Sequence, residues 1–237
     1  MRTTTWTAVA GFVLTAPWLL SGCSGDDAAP TGSPLDVLAA AATELDSTSG
    51  AHLTLTSTDF PSGAAGVMGA EGDVVTETGG GAGFEGDLTV NFAGAAVPVP
   101  VRSLDGTVWA QIPLTQGWSV IDPAEYGAPD PSGLLSRESG VAALLNATED
   151  VEAGSSVRGG KNNAEVLTPY TGTISGDVMQ RVLPTSAGDE FDVTFRITSA
   201  GTLAEAEMTG VFYPDTPEMT YTLVVSDLGL ERVIEAP

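Results

Sequence analysis

From Gly50 onward the chain alternates apolar and polar residues with a period of two, and this limits the possible folds more than any other feature. Across 84–92, Phe84, Leu88, Val90 and Phe92 share one parity, while Glu85, Asp87, Thr89 and Asn91 take the other. Val97, Val99 and Val101 repeat the pattern, as do Val108, Ala110 and Ile112. Late in the chain Phe191, Val193, Phe195 and Ile197 interleave with Asp192, Thr194, Arg196 and Thr198, and Tyr221, Leu223 and Val225 continue. Successive side chains of a strand point to opposite faces, so these segments read as strands of a large sheet with one apolar and one polar face.

The same reasoning predicts strands over 52–58, 72–77, 84–92, 97–104, 108–112, 148–158, 164–174, 190–198, 204–213 and 219–228. Asp105-Gly106 between two apolar runs is a hairpin signal. Pro98 and Pro100 sit two apart, so both withhold a donor on the same side, as expected of an edge strand or of a strand beside a gap. Helical spacing appears at Leu35, Leu38, Ala42 and Leu45, behind an N-cap candidate at Ser33 and Pro34 at the first position. Shorter helices are expected over 131–137, 139–146 and 175–183, the last capped by Ser175. Hairpins dominate the connections, which makes the sheet antiparallel and the fold class α+β. The apolar face needs a cover, and only these few short helices can supply one. The pattern itself describes a filled core and a hollow equally well.

Residues 1–22 read as an export signal: Arg2 supplies the positive start, and 6–20 form an apolar stretch too short for a comfortable membrane span. Leu20-Ser21-Gly22-Cys23 has the form of a bacterial lipobox, in which small residues precede the cleavage site and the Cys sulfur takes a lipid. Cys23 is the only cysteine of the chain, so it forms no internal disulfide and sits where lipidation requires it. An ordinary secretory signal and a retained membrane anchor are the alternatives. Acyl chains on Cys23, at about 0.8 kcal/mol per buried methylene, would hold the protein on the outer side of the cell membrane. Residues 23–34, small, polar and broken by Pro30 and Pro34, read as a tether, and 35–237 as the single domain.

Charge and chemistry narrow the function further. With 31 Asp and Glu against 8 Lys and Arg, the net charge is -23, which argues against nucleic acid as a partner. Cleavage before Cys23 would remove Arg2 and no acid, giving -24. His52, the one histidine, has no nucleophile motif near it, and no phosphate loop, dinucleotide fingerprint or zinc motif occurs. No catalytic residue, cofactor or metal is expected. The acid clusters Glu149-Asp150-Glu152 and Asp189-Glu190-Asp192 lack the spaced loop of a calcium site.

In order and spacing the chain resembles the actinobacterial LppX/LprA/LprF/LprG lipoproteins. The similarity runs through Ser49-Gly50-Ala51-His52-Leu53-Thr54-Leu55-Thr56, Leu104-Asp105-Gly106-Thr107-Val108-Trp109-Ala110, Gly117-Trp118, Asp122-Pro123-Ala124-Glu125, Asp130-Pro131-Ser132-Gly133-Leu134-Leu135 and Gly172-Thr173-Ile174-Ser175. The resemblance implies an antiparallel half-barrel with helices on its concave face, enclosing a hydrophobic cavity. It also implies a carrier that moves multi-acylated lipids or glycolipids across the envelope, with a membrane transporter as a candidate further partner. Sheet parity makes Leu88, Val90, Phe92, Val101, Val108 and Ala110 candidates for the cavity wall, and Leu134, Leu144 and Leu145 for the helical lid. The Pro98/Pro100 pair and the extra residues around 126–131 and 136–139 depart from the family pattern near the expected entrance. A structural envelope lipoprotein with a solid core is the alternative, and a carboxylate-dependent hydrolase a third reading.

Overall fold

The computed structural model describes residues 29–77, 81–92 and 94–237. The export signal, Cys23 and the first part of the tether lie outside the described residues. Helix α1 spans Pro34–Ser47; the Ser33 side chain accepts from the Asp36 amide, and Pro34 occupies the first turn where its missing N–H costs nothing. Its buried stripe, Val37, Leu38, Ala41, Ala42 and Leu45, lies against the rest of the core.

Among the described residues twelve strands follow: β1 (Gly50–Thr58), β2 (Gly66–Val75), β3 (Gly83–Phe92), β4 (Ala95–Leu104), β5 (Thr107–Ala110), β6 (Ser119–Ile121), β7 (Glu149–Ala153), β8 (Val157–Gly159), β9 (Glu165–Ser175), β10 (Glu190–Thr198), β11 (Leu203–Gly210) and β12 (Met219–Ser226). They form one antiparallel sheet in the order β6-β5-β4-β3-β2-β1-β12-β11-β10-β9-β7, with β8 also on β9. The sheet is open and does not close into a barrel. The first and last strands pair at its middle, His52 opposite Ser226 and Thr58 opposite Thr220. The two edges are therefore joined by one connection, residues 122–148, and its helix α2 (Val141–Ala147) packs against α1 and α3 (Gly176–Val182). The covered face carries the core, from Phe84 and Val101 on one side to Phe191, Phe195 and Ile197 on the other.

Local chemistry accounts for most boundaries. Asp105 and Gly106 both take positive φ (49° and 76°), the backbone a two-residue hairpin needs. β5 pairs with β4 only from Val101 to Leu104, so Pro98 and Pro100 lie where β4 faces a gap, as their spacing predicts. Four expectations change. β2 starts at Gly66 rather than at 72, because Gly66, Gly69 and Gly72 and a register shift between Val67 and Gly69 hide its alternation. The expected strand 148–158 divides into β7 and β8, where Gly154 turns to donate to the Pro169 carbonyl. The expected helix 131–137 shrinks to a 3-10 turn, Pro131–Gly133, capped by Asp130. β11 ends at Gly210, where the Phe191 ring occupies the space of a side chain.

Candidate functional site

An apolar hollow of about 80 Å3 lies between the sheet and its cover. The sheet contributes Leu53 and Leu55 from β1, Ala70 and Gly72 from β2, Phe84 and Leu88 from β3, and Met208 and Leu223 from β11 and β12. The cover contributes Pro131 and Leu134 from the turn, Val141 and Leu144 from α2, and Val182 and Leu183 from the end of α3. All of these present hydrocarbon or thioether, so the hollow offers burial and no group that titrates.

Register explains the floor. Leu53, Gly72, Gly86 and Val101 stand in one row across β1 to β4, and Ala51, Val74, Phe84 and Ser103 in the next. A Cβ on Gly72 or on Gly86 would lie 2.7 Å from the Phe84 ring, so the two glycines are what allow that ring to lie down on the sheet. Phe84 thereby fills space that two ordinary side chains would take. The roof is positioned from the edge of the cover: buried Ser103 donates to Asp130 Oδ1 at 2.7 Å, and Asp130 in turn accepts from the Ser132 amide, which pins the Pro131 turn over β3.

The expected wall residues divide by depth. Leu88, Leu134 and Leu144 line the hollow. Val101, Val108 and Ala110 are buried on the same face but belong to the packed core beside it, and Leu145 is buried one helical step away from Leu144. Val90 is half-buried one step beyond Leu88, and Phe92, at the end of β3, is 58% exposed. Along β3 the covered face thus opens gradually, from Phe84 at 2% exposed to Phe92. The expected cavity of acyl-chain size is instead this small hollow, because Phe84 and the five leucine and valine side chains of the cover meet across it. A ligand site of ordinary size takes about 300–1,000 Å3. Phe84, Leu53, Leu55, Val182 and Leu183 were not foreseen in the lining, since only the pairing of β1, β2 and β3 brings the first three together.

Polar chemistry lies elsewhere. On the outer face a row runs from His52 through Asp73 and Glu85 to Arg102, one residue from each of β1 to β4. His52 Nδ1 donates to Asp73 Oδ1 at 2.7 Å, and Arg102 donates to Glu85 at 2.6 Å. Arg232, from the C-terminal segment, bridges Asp73 and Glu85. Burial pushes the Asp73 carboxyl up, but the hydrogen bonds from His52 and Arg232 outweigh it and hold it below the usual carboxylate range. At the far end of the core, Tyr213 and Tyr221 share a 2.8 Å hydrogen bond, and Tyr221 also donates to the Val67 carbonyl; burial pushes both phenols up. Both acid clusters are largely exposed, and among the described residues no three His, Cys, Asp or Glu are grouped to hold a metal ion. No helix of the described residues is long and apolar enough to cross a membrane.

The comparisons agree with this architecture. The family described as LppX_LprAFG lipoprotein matches residues 33–229. The structure of LprF from Mycobacterium bovis is similar, at 15% identity and a TM-score of 0.70, covering 89% of this chain and 99% of that one. The lipoprotein LppX of Mycobacterium tuberculosis is similar at 17% identity and a TM-score of 0.58, covering 85% and 97%. No curated protein matches the sequence.

Proposed function

The chain belongs to the LppX_LprAFG lipoprotein family, and from that premise we propose that it is an envelope lipoprotein, held to the membrane through Cys23, that binds acylated lipid between sheet and cover and carries it through the envelope without catalysing a reaction. The observation that carries this reading is the wholly apolar hollow, beyond which the covered face grows more exposed along β3 from Leu88 to Phe92. Acyl chains enter by lifting α2 and the end of α3, two helices of seven residues each, off the sheet. Each methylene buried contributes about 0.8 kcal/mol, so a chain of ordinary length offsets the contacts the cover gives up. The polar headgroup stays at the open side.

One observation favours a second reading, a solid-cored interaction lipoprotein: the hollow measures only about 80 Å3. Native mass spectrometry of the full chain carrying Cys23→Ser, made in an actinobacterial host, separates the two. Co-purifying lipid is expected, and Leu88→Trp should lower its occupancy several-fold while the fold survives. A lipid-free protein, or loading indifferent to Leu88→Trp, overturns the carrier reading or its assigned wall.

A further inference from the structure

One corner of the sheet, the β2–β6 side of one end, carries no charge, while the β11–β12 connection at the same end holds Asp215 and Glu218. Residues 60–70, 88–101 and 107–121 contain no Asp, Glu, Lys, Arg or His, in a chain whose net charge is -23. Register brings much of all three stretches together: Val67 stands opposite Val90, Val90 opposite Val97, Phe92 opposite Ala95, and Gln111 donates to the Pro100 carbonyl. The β3–β4 tip and the loop 111–118 therefore share the end toward which the covered face of β3 grows exposed. Asp59, in the β1–β2 turn, marks the border of this area. Phe92 is 58% exposed there and Leu114 99%, and Leu114 holds φ at 70°, a region that leucine seldom adopts.

We propose that this uncharged corner is the surface by which the domain rests on a lipid bilayer, with Phe92 and Leu114 entering the interfacial layer. Three observations select a bilayer over a protein. Exposed carboxylates elsewhere, Asp215 and Glu218 of the neighbouring connection among them, are repelled by anionic headgroups within a Debye length of about 8–10 Å, so the β2–β6 corner is the part that approaches most closely. On the side of β4 that faces away from β3, Pro98 and Pro100 withhold their donors and Gln111 already takes the Pro100 carbonyl, which prevents a partner from adding a strand there. And the apolar face runs from Phe92 past Val90 and Leu88 into the hollow, so a chain leaving the bilayer would stay off water throughout. The purpose of the contact rests on the carrier reading; the contact itself does not.

The test uses the full chain with Cys23→Ser and a polarity-sensitive nitrobenzoxadiazole label on Ala95→Cys, beside Phe92, or on Ala200→Cys, in the β10–β11 turn at the opposite end of the sheet. With vesicles of phosphatidylethanolamine and phosphatidylglycerol, the label at 95 should brighten several-fold and shift to the blue, while that at 200 stays as in buffer. Adding salt should strengthen the signal at 95, and Phe92→Ser with Leu114→Glu should abolish it. No change at 95, an equal change at both positions, or indifference to the double substitution overturns the proposal. A response at 95 that requires envelope protein and fails on pure lipid assigns the surface to a protein partner instead. Lipid loading measured in parallel keeps the two readings apart: loading without insertion sinks this proposal alone, and insertion without loading sinks the carrier reading alone.

Discussion

The Phe84 ring lies over two residues that have no side chain, and that arrangement decides how much room remains beneath the cover. A Cβ at Gly86 would press on the Glu71 carbonyl and lie 2.6 Å from Gly72 Cα as well as 2.7 Å from the ring. Two of those neighbours are backbone and cannot rotate away. Gly86→Ala should therefore destabilise the fold by about 1–3 kcal/mol, as overpacked sites do, measured by urea unfolding. At this scale the sequence was partly legible. Parity correctly put Leu88 and Val101 on the covered face, because alternation is a local property. It did not separate the hollow from the core beside it, because depth depends on which strands are neighbours. Phe92 shares its parity with Phe84 but stands beyond the reach of the helices.

Among the elements, the cover is the weakest layer. α2 has seven residues, starts at Gly140 without a side-chain cap, and is preceded by turns. The central strands β1 and β12 are hydrogen-bonded on both sides along most of their length. Amides of α2 should thus exchange with deuterium well before those of β1 and β12, and bound acyl lipid should slow α2 selectively. Exchange of α2 as late as the central strands would argue against a lifting cover. Most strands and both longer helical ends were legible from period and caps, such as Ser33 and Pro34. β2 was cut short and β6 missed, since glycines erase alternation in the first and Ser119–Ile121 is too brief to display it. The helix expected over 131–137 failed because Pro131 and Gly133 set a turn and Gly140 restarts the chain.

For the whole molecule, the outer row ties four strands to the C-terminal segment through Arg232, while Ile234 of that segment is buried beside Gly83. The pH behaviour follows from Asp73. Its carboxyl is held below its ordinary value of 3.8, so its contribution is complete above that value and is lost as pH falls through the lower, folded one. Wild type should then lose stability more steeply than Asp73→Asn below about pH 4, read from melting curves across the acid range. Equal slopes would show that the His52–Asp73–Arg232 contacts do not hold in solution. This network could not be read beforehand, because its members are 52, 73, 85, 102 and 232 and only the register lines them up.

The pairing of β1 with β12 also sets a timetable. The sheet's centre joins residues 52–58 to residues 220–226, so the longest loop in the chain must close before its middle exists. On the ribosome or emerging from a translocation channel, β1 to β6 can form a meander early, but β1 keeps an open edge until β12 has appeared. That edge, with Leu53 and Leu55 bare, is a natural client for chaperones and a point where aggregation begins. A chain stopped short of residue 219 loses its central seam rather than a margin, and should be cleared as an unfolded protein rather than persist as a smaller one.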